Sequence, residues 1–345
     1  MPASAAQRLI PSDERAATRL LLHYDQHQRH LPWRSATPDP YRVWLSEVML
    51  QQTTVATVIP RFRRFIERWP TIEALAAAPP EEVLGEWAGL GYYARARNLV
   101  ACARKVAALG AFPTTEAELR TLPGIGAYTA AAIAAIAFGE AATVIDTNVE
   151  RVIARLHGID RTTAEARPEI RAAATALTPA DRPGDYAQAM MDLGATICRP
   201  RRPDCSACPL AVDCRALASG APECFPAPKR KRLRPHVHGL AWWYERDRAL
   251  WLERRRARGL YGGMAALPGE AWDRDEAGII CPPLTTVHHG FTHFTLDLHV
   301  LDRGDVPEGE GWWHPLDRIA DAGLPTLYTR AVAAVLAQRK DGLFP

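Results

Sequence analysis

Apolar positions recur every three to four residues along 42–68, 71–88, 95–109, 127–138 and 149–156, a period that predicts helices there. Prolines and glycines punctuate the pattern at Trp69-Pro70, Pro79-Pro80, Gly89-Leu-Gly91, Phe112-Pro113 and Leu122-Pro-Gly-Ile-Gly126. Strand-like alternation is nearly absent up to residue 225. Beyond it the texture changes. Leu240-Ala-Trp-Trp-Tyr244 and Ala249-Leu-Trp-Leu252, joined by Glu245-Arg-Asp-Arg248, predict a hairpin, and Phe294–Leu301 alternates with period two as a further strand. A helix over Tyr328–Gln338 closes the pattern. The expectation is an all-α domain followed by a smaller α+β domain.

Length and charge sharpen this division. The 345 residues allow two domains at about 150 residues each. No apolar stretch approaches the ~20 residues of a membrane span, and Met1–Arg15 has no signal-peptide core. The formal net charge is only +3, but 226–237 hold five Lys or Arg and no acid. With Pro226 and Pro235 near its ends, this stretch reads as a basic linker, either a solvated tether or a phosphate contact. The expected layout is therefore 1–225, a linker at 226–237, and 238–345.

Four of the seven cysteines form Cys198-x6-Cys205-x2-Cys208-x5-Cys214. Clustered thiols in so long a chain argue for metal in a reducing cytoplasm rather than for a disulfide framework. One short knuckle flanked by wider gaps puts a cubane iron–sulfur cluster ahead of zinc, which stays as the alternative. Arg199, Arg201 and Arg202 in the first loop would offer a basic lobe to phosphate.

Three further motifs carry candidate chemistry. In Leu122-Pro-Gly-Ile-Gly-Ala-Tyr-Thr129, Gly124 and Gly126 let backbone N–H groups approach an anion at a helix start, although many plain helix turns contain such glycines. Glu47 is the only ionisable group in the apolar run Val43–Thr53. Burial would keep it protonated as a general acid, but on pattern alone a solvent-facing Glu47 is the plainer reading. Asp146 precedes a capping box of Thr147 and Glu150, where the helix dipole favours a charged carboxylate. One protonated and one ionised acid form the pair that glycosidic cleavage uses.

Together these motifs resemble the endonuclease III superfamily of DNA glycosylases. Within it, Trp44–Thr53 and Gly89-Leu-Gly-Tyr-Tyr-Ala-Arg-Ala-Arg97 are similar to the MutY-type adenine DNA glycosylases. The resemblance implies a helix-hairpin-helix domain with its hairpin near 122–129 and a 4Fe-4S loop over 198–214. A Nudix-like, MutT-like 8-oxoguanine-recognition domain would follow. It implies excision of adenine opposite 8-oxoguanine or guanine in duplex DNA, by a monomer in the bacterial cytoplasm.

By the same resemblance, Glu47 protonates the departing base and Asp146 offsets the sugar charge or bonds to it transiently. Tyr128 and Asn148 orient Asp146 and the sugar or nucleophile. Gln52 and Tyr92 enter the opened stack, Arg29 and Trp33 line the adenine pocket, and Phe291, Thr292 and His293 sense 8-oxoguanine. Lyase members carry a lysine where this chain has Tyr128, and only Lys105 of the four lysines falls in the helical domain. That favours a monofunctional enzyme over a pyrimidine-damage glycosylase/lyase. A non-catalytic iron–sulfur DNA-binding protein is the remaining alternative. The stretch Trp272–Gly278 lacks the Nudix phosphohydrolase signature.

Overall fold

A computed structural model describes residues 12–228, 234–256, 259–270, 272, 282–305, 307 and 309–340. The charged run Lys229–Leu233 at the centre of the expected linker lies outside the described residues, as does Asp273–Gly278.

Helices α1 (Ser12–His27), α2 (Pro40–Leu50), α3 (Val55–Arg68) and α4 (Ile72–Ala77) come first, followed by α5 (Pro80–Glu86) and α6 (Ala94–Leu109). Then come α7 (Glu116–Leu119), α8 (Ala127–Phe138), α9 (Thr147–His157), α10 (Arg167–Leu177), α11 (Pro183–Thr196) and α12 (Arg215–Ala218). The periodic run 42–68 is two helices, not one. The chain breaks at 51–54, where Gln52 takes a left-handed φ of 56° and Thr54 caps α3 by accepting from the Thr57 N–H. The run 71–88 likewise splits into α4 and α5 around Pro79-Pro80.

The two compact units do not follow the expected boundary. One comprises Met1–Ala78 with Asn98–Arg230, and the other Pro79–Arg97 with Lys231–Pro345. Residues 79–97 group with the second unit because their side chains find partners there. The Arg97 guanidinium donates to the Gly262 carbonyl at 2.6 Å, and Tyr93 packs edge-on against Tyr261. In the first unit, α1, α9, α10 and α11 bury a shared core that includes Leu20, Tyr24, Ile153, Ile170, Tyr186, Met190 and Leu193.

In the second unit, β1 (His236–Trp243) pairs in parallel with β6 (Thr295–Asp302), which pairs antiparallel with β5 (Thr285–Gly290). A second sheet joins β2 (Glu245–Arg246), β3 (Ala249–Arg254), β4 (Ala265–Ala266) and β7 (Trp312–Pro315). The expected hairpin forms at its inner end, as the β2–β3 pair extended by the Trp251 N–H donating to the Tyr244 carbonyl at 3.0 Å. Asp247 and Arg248 turn it with φ of 49° and 58°, whose twist suits a two-residue loop, while β1 pairs with β6 instead. Helix α13 (Thr326–Lys340) adds Leu327, Ala331 and Val335 to a core with Trp243, Leu252, Leu298 and Val300. No described helix is long and apolar enough to cross a membrane.

Candidate active site and nucleic-acid interface

A cleft of about 840 Å³ opens in the first unit, and much of the expected chemistry lines it: Arg29, Trp33, Glu47, Gln52, Gly124, Gly126, Tyr128, Asp146 and Asn148. Glu47 sits on α2, where seven other residues from Tyr41 to Met49 are also buried. A helix apolar nearly all round has no solvent face, so the solvent-facing reading of Glu47 fails: it is 5% exposed. Burial pushes its pKa up to about 7. A hydrogen bond from Tyr128 opposes that rise, the charge of Asp146 adds to it, and Arg34 again opposes it.

The Tyr128 hydroxyl donates to Glu47 Oε2 at 2.7 Å and also lies 3.3 Å from Met191 Sδ. Burial, with the charges of Glu47 and Asp146, holds the Tyr128 phenol well above its ordinary pKa, so it stays a neutral donor. Tyr128 is the second residue of α8 (after Ala127), whose N-cap is Gly126 with no side-chain cap. The first N–H groups of α8 therefore face the cleft side without a side-chain acceptor, as an anion site requires. Gly124 is needed for two reasons: its φ is +75°, and a Cβ there would lie 2.6 Å from the Asn98 Cβ.

Asp146 is itself the cap of α9, accepting from the Val149 N–H at 2.7 Å through Oδ1; the expected Thr147–Glu150 box gives way to this simple cap, because Val149 stands at its third position. Its Oδ2 accepts from Asn148 Nδ2 at 2.9 Å. Asn148 is oriented in turn by Arg151, which donates to Asn148 Oδ1 at 2.9 Å, to the Gly194 carbonyl and to the Cys198 carbonyl. A Cβ on Gly194 would meet the Asn148 Cβ at 2.6 Å, so this close crossing of α9 and α11 needs glycine.

Asp192 on α11 is a site residue that the sequence reading missed. Its carboxylate takes the Arg29 Nε at 2.6 Å and both Arg34 terminal nitrogens at 2.7 and 2.9 Å. Burial would raise its pKa, but the bonds and charges of Arg34 and Arg29 outweigh burial and hold it below the usual range. Trp33 stands between these arginines in sequence and packs edge-on to Phe62.

Cys198, Cys205, Cys208 and Cys214 surround one apolar cavity with Arg155, whose guanidinium reaches Cys198 Sγ at 3.3 Å and the Arg199 and Pro200 carbonyls. The donors are all sulfur, and soft thiolates take iron–sulfur clusters or zinc. Arg199, Arg201 and Arg202 are exposed on the loop, and Glu223 holds the Arg202 backbone N–H at 2.7 Å.

In the second unit, Tyr92 is 48% exposed with a φ of 49°, and its hydroxyl lies 2.8 Å from Thr292 Oγ1. Thr292 and His293 are exposed at the β5–β6 turn. Phe291 instead stacks on Phe294 and packs against Trp272 and Tyr261.

Residues 45–178 match the HhH-GPD superfamily of base excision DNA repair proteins, and 239–334 match the NUDIX domain. An adenine DNA glycosylase of Buchnera aphidicola (subspecies Acyrthosiphon pisum) is 31% identical over 93% of this chain and 96% of its own length. One of Mycolicibacterium smegmatis is 44% identical over 59% of this chain and 70% of its own. The human adenine DNA glycosylase is 49% identical over 57% of this chain, which spans only 38% of that longer protein. Among solved structures, a thermostable thymine-DNA glycosylase matches with a TM-score of 0.53 at 29% identity, over 59% of this chain and 95% of its own. A non-covalent endonuclease III–DNA complex matches with a TM-score of 0.51 at 25% identity, over 61% of this chain and 99% of its own. With nearly complete mutual coverage of the bacterial relative, this chain belongs to the adenine DNA glycosylase family.

Proposed function

We propose that this chain hydrolyses the N-glycosidic bond of adenine opposite 8-oxoguanine or guanine in duplex DNA, as a monofunctional base-excision enzyme acting in the cytoplasm as a monomer. One observation carries the reading: a carboxylic acid with a pKa of about 7 is held by Tyr128, where lyase members carry a lysine, beside a second, capped carboxylate.

A stacked adenine is out of reach, so the base is flipped into the cleft past Trp33 and Arg29. Glu47, protonated in a useful fraction of molecules near neutral pH, delivers its proton to a ring nitrogen of the departing base. The base then leaves neutral. Tyr128 aims the Glu47 carboxyl and supplies no nucleophile. Asp146 offsets the oxocarbenium charge on the deoxyribose, and Asn148 fixes its carboxylate plane. Asp192 positions Arg29 and Arg34 rather than touching the base.

The uncapped start of α8 with Gly124 and Gly126 takes a phosphate, and Arg199, Arg201 and Arg202 take others. Gln52 and Tyr92, both on strained turns, enter the opened stack. Thr292 and His293 read the opposing 8-oxoguanine, with Phe291 as the packed base of that loop. Four cysteines around one apolar cavity, with the Cys-x6-Cys-x2-Cys-x5-Cys spacing, support a 4Fe-4S cluster. Cys198, Cys205, Cys208 and Cys214 would hold it, and it would supply a rigid scaffold for the arginine loop.

Single-turnover incubation with a duplex carrying adenine opposite 8-oxoguanine tests the reading. Strand breaks only after alkali are expected. Breaks without alkali would mean a lyase, and tight binding without excision would mean a DNA-binding protein; either overturns it.

A further inference from the structure

The sheet β1-β6-β5 has two unlike faces. Val287, Leu296, Leu298 and Val300 point into the core, as the two-residue period demands. The opposite face collects His236 and His238 from β1, Asp297 and His299 from β6, and Thr286 and His288 from β5. The register sets His238 beside Asp297, Asp297 beside His288, and His299 beside Thr286. None of these residues has a part in the proposed excision reaction.

We infer that His236, His238 and Asp297 form a binding site for a divalent first-row transition ion of the zinc class. One ring nitrogen from each histidine and one Asp297 oxygen lie within 4.8 Å of one another, and among the described residues no other three His, Cys, Asp or Glu do so. His236 Nε2 and Asp297 Oδ2 stand 3.4 Å apart. The edge of a tetrahedron with zinc bonds of about 2.05 Å is about 3.3 Å, so this pair already spans one edge of the polyhedron. Imidazole and carboxylate together suit zinc, cobalt and nickel rather than calcium or magnesium.

The surrounding bonds are those that orient metal ligands. His236 Nδ1 pairs with Thr295 Oγ1 at 2.7 Å, and His238 Nδ1 pairs with His299 Nε2 at 3.1 Å. His299 Nδ1 continues to Thr286 Oγ1 at 2.9 Å, while Asp297 Oδ1 is taken by His288 Nδ1 at 2.6 Å. Such outer partners fix ring planes and tautomers, and their loss typically weakens metal binding about 10–100-fold. His238 and His299 are nearly buried, whereas His236 is exposed, so an ion has a rigid floor and an open approach. The competing reading of the same gap is an ordinary contact between His236 and Asp297 with no ion.

Cobalt(II) separates the two. The full chain, with its four-cysteine centre loaded, is titrated with Co²⁺ near neutral pH. One equivalent should bind with visible d–d bands and no thiolate charge-transfer band. His236→Ala and Asp297→Asn should abolish that spectrum, and His299→Ala should weaken binding about tenfold. Excision by His236→Ala should be unchanged, which keeps this result independent of the proposed activity. His236 is exposed, so its variant tests the site without disturbing the core, and an unchanged melting curve of the metal-free variant confirms this. No cobalt binding by the wild type, or equal binding by His236→Ala, would overturn the inference and leave an ordinary histidine–aspartate contact.

Discussion

Two buried acids in the first unit meet opposite electrostatic fates. Glu47 on α2 is 5% exposed and Asp192 on α11 is 7% exposed, so burial opposes the charge of both. Glu47 faces a neutral phenol and another carboxylate, and its pKa climbs to about 7. Asp192 faces two guanidinium groups in hydrogen-bond contact, and its pKa falls below the ordinary value. Depth of burial therefore does not decide protonation; the partner does. One acid is set up to lose a proton in a reaction, while the other serves as a fixed anion.

The largest predicted effect breaks the Glu47 side of this contrast. Glu47→Gln keeps the shape and the Tyr128 hydrogen bond but cannot release a proton. Excision should fall by about 10²–10⁴-fold, the span of general acid catalysis, with DNA binding retained. Single-turnover excision and a binding titration on one preparation check both halves. The same variant should be more stable. Folded Glu47 binds a proton between about pH 4.5 and 7 where the unfolded chain has lost it, so its contribution falls as pH rises through that window. Removing the group should recover up to about 3 kcal/mol at pH 8 and nothing at pH 4.

The Asp192 side should respond with the reverse sign. Asp192→Asn leaves two arginines clustered without their anion and should cost about 3–5 kcal/mol, measured by denaturant unfolding near neutral pH. Because its folded pKa is depressed, its contribution is present above pH ~4 and lost as pH falls through the folded value. The variant should therefore lose stability at pH 7 and converge on wild type in acid. Excision should also drop, through a misplaced Arg29, and the loss should fall on substrate affinity more than on the chemical step.

The two acids were unequally legible in the sequence. Glu47 stood in a long specific motif, but its pattern favoured a solvent face, and only the packing of Val43, Trp44, Leu45, Val48 and Met49 in the folded unit shows that α2 has none. Asp146 and Tyr128 were picked out by the family motifs that they occupy. Asp192 carried no such signal: it lies between Met191 and Leu193 on α11, 158 positions from Arg34, and only the folded packing brings them together. Distance along the chain hid the second unit in the same way. The β1 strand looked like a hairpin partner of β3 because local pairing is what periodicity can see. Its true partner, β6, is about sixty residues away and parallel, and that pairing also assembled the histidine face. Residues 79–97 fall within the HhH-GPD match yet group by contact with the second unit, and their helical pattern says nothing about which unit receives Tyr92 and Arg97.

The smallest effect sharpens the comparison most. Tyr128 donates to Glu47, and that bond stabilises the charged carboxylate, so it holds the Glu47 pKa below what burial alone would impose. Tyr128→Phe removes the bond and leaves the burial. The Glu47 pKa should then rise, and the alkaline limb of the excision profile should move to higher pH. At pH 7 more of the enzyme would hold its proton, yet the carboxyl would be less well aimed, so the rate at the optimum should fall modestly while its position shifts. A phenylalanine that merely loosened packing would lower the rate at every pH without moving the limb. A pH–rate profile under single-turnover conditions distinguishes these outcomes. An unmoved limb would mean that Tyr128 acts on the sugar side of the cleft, and that some other group sets the proton affinity of Glu47.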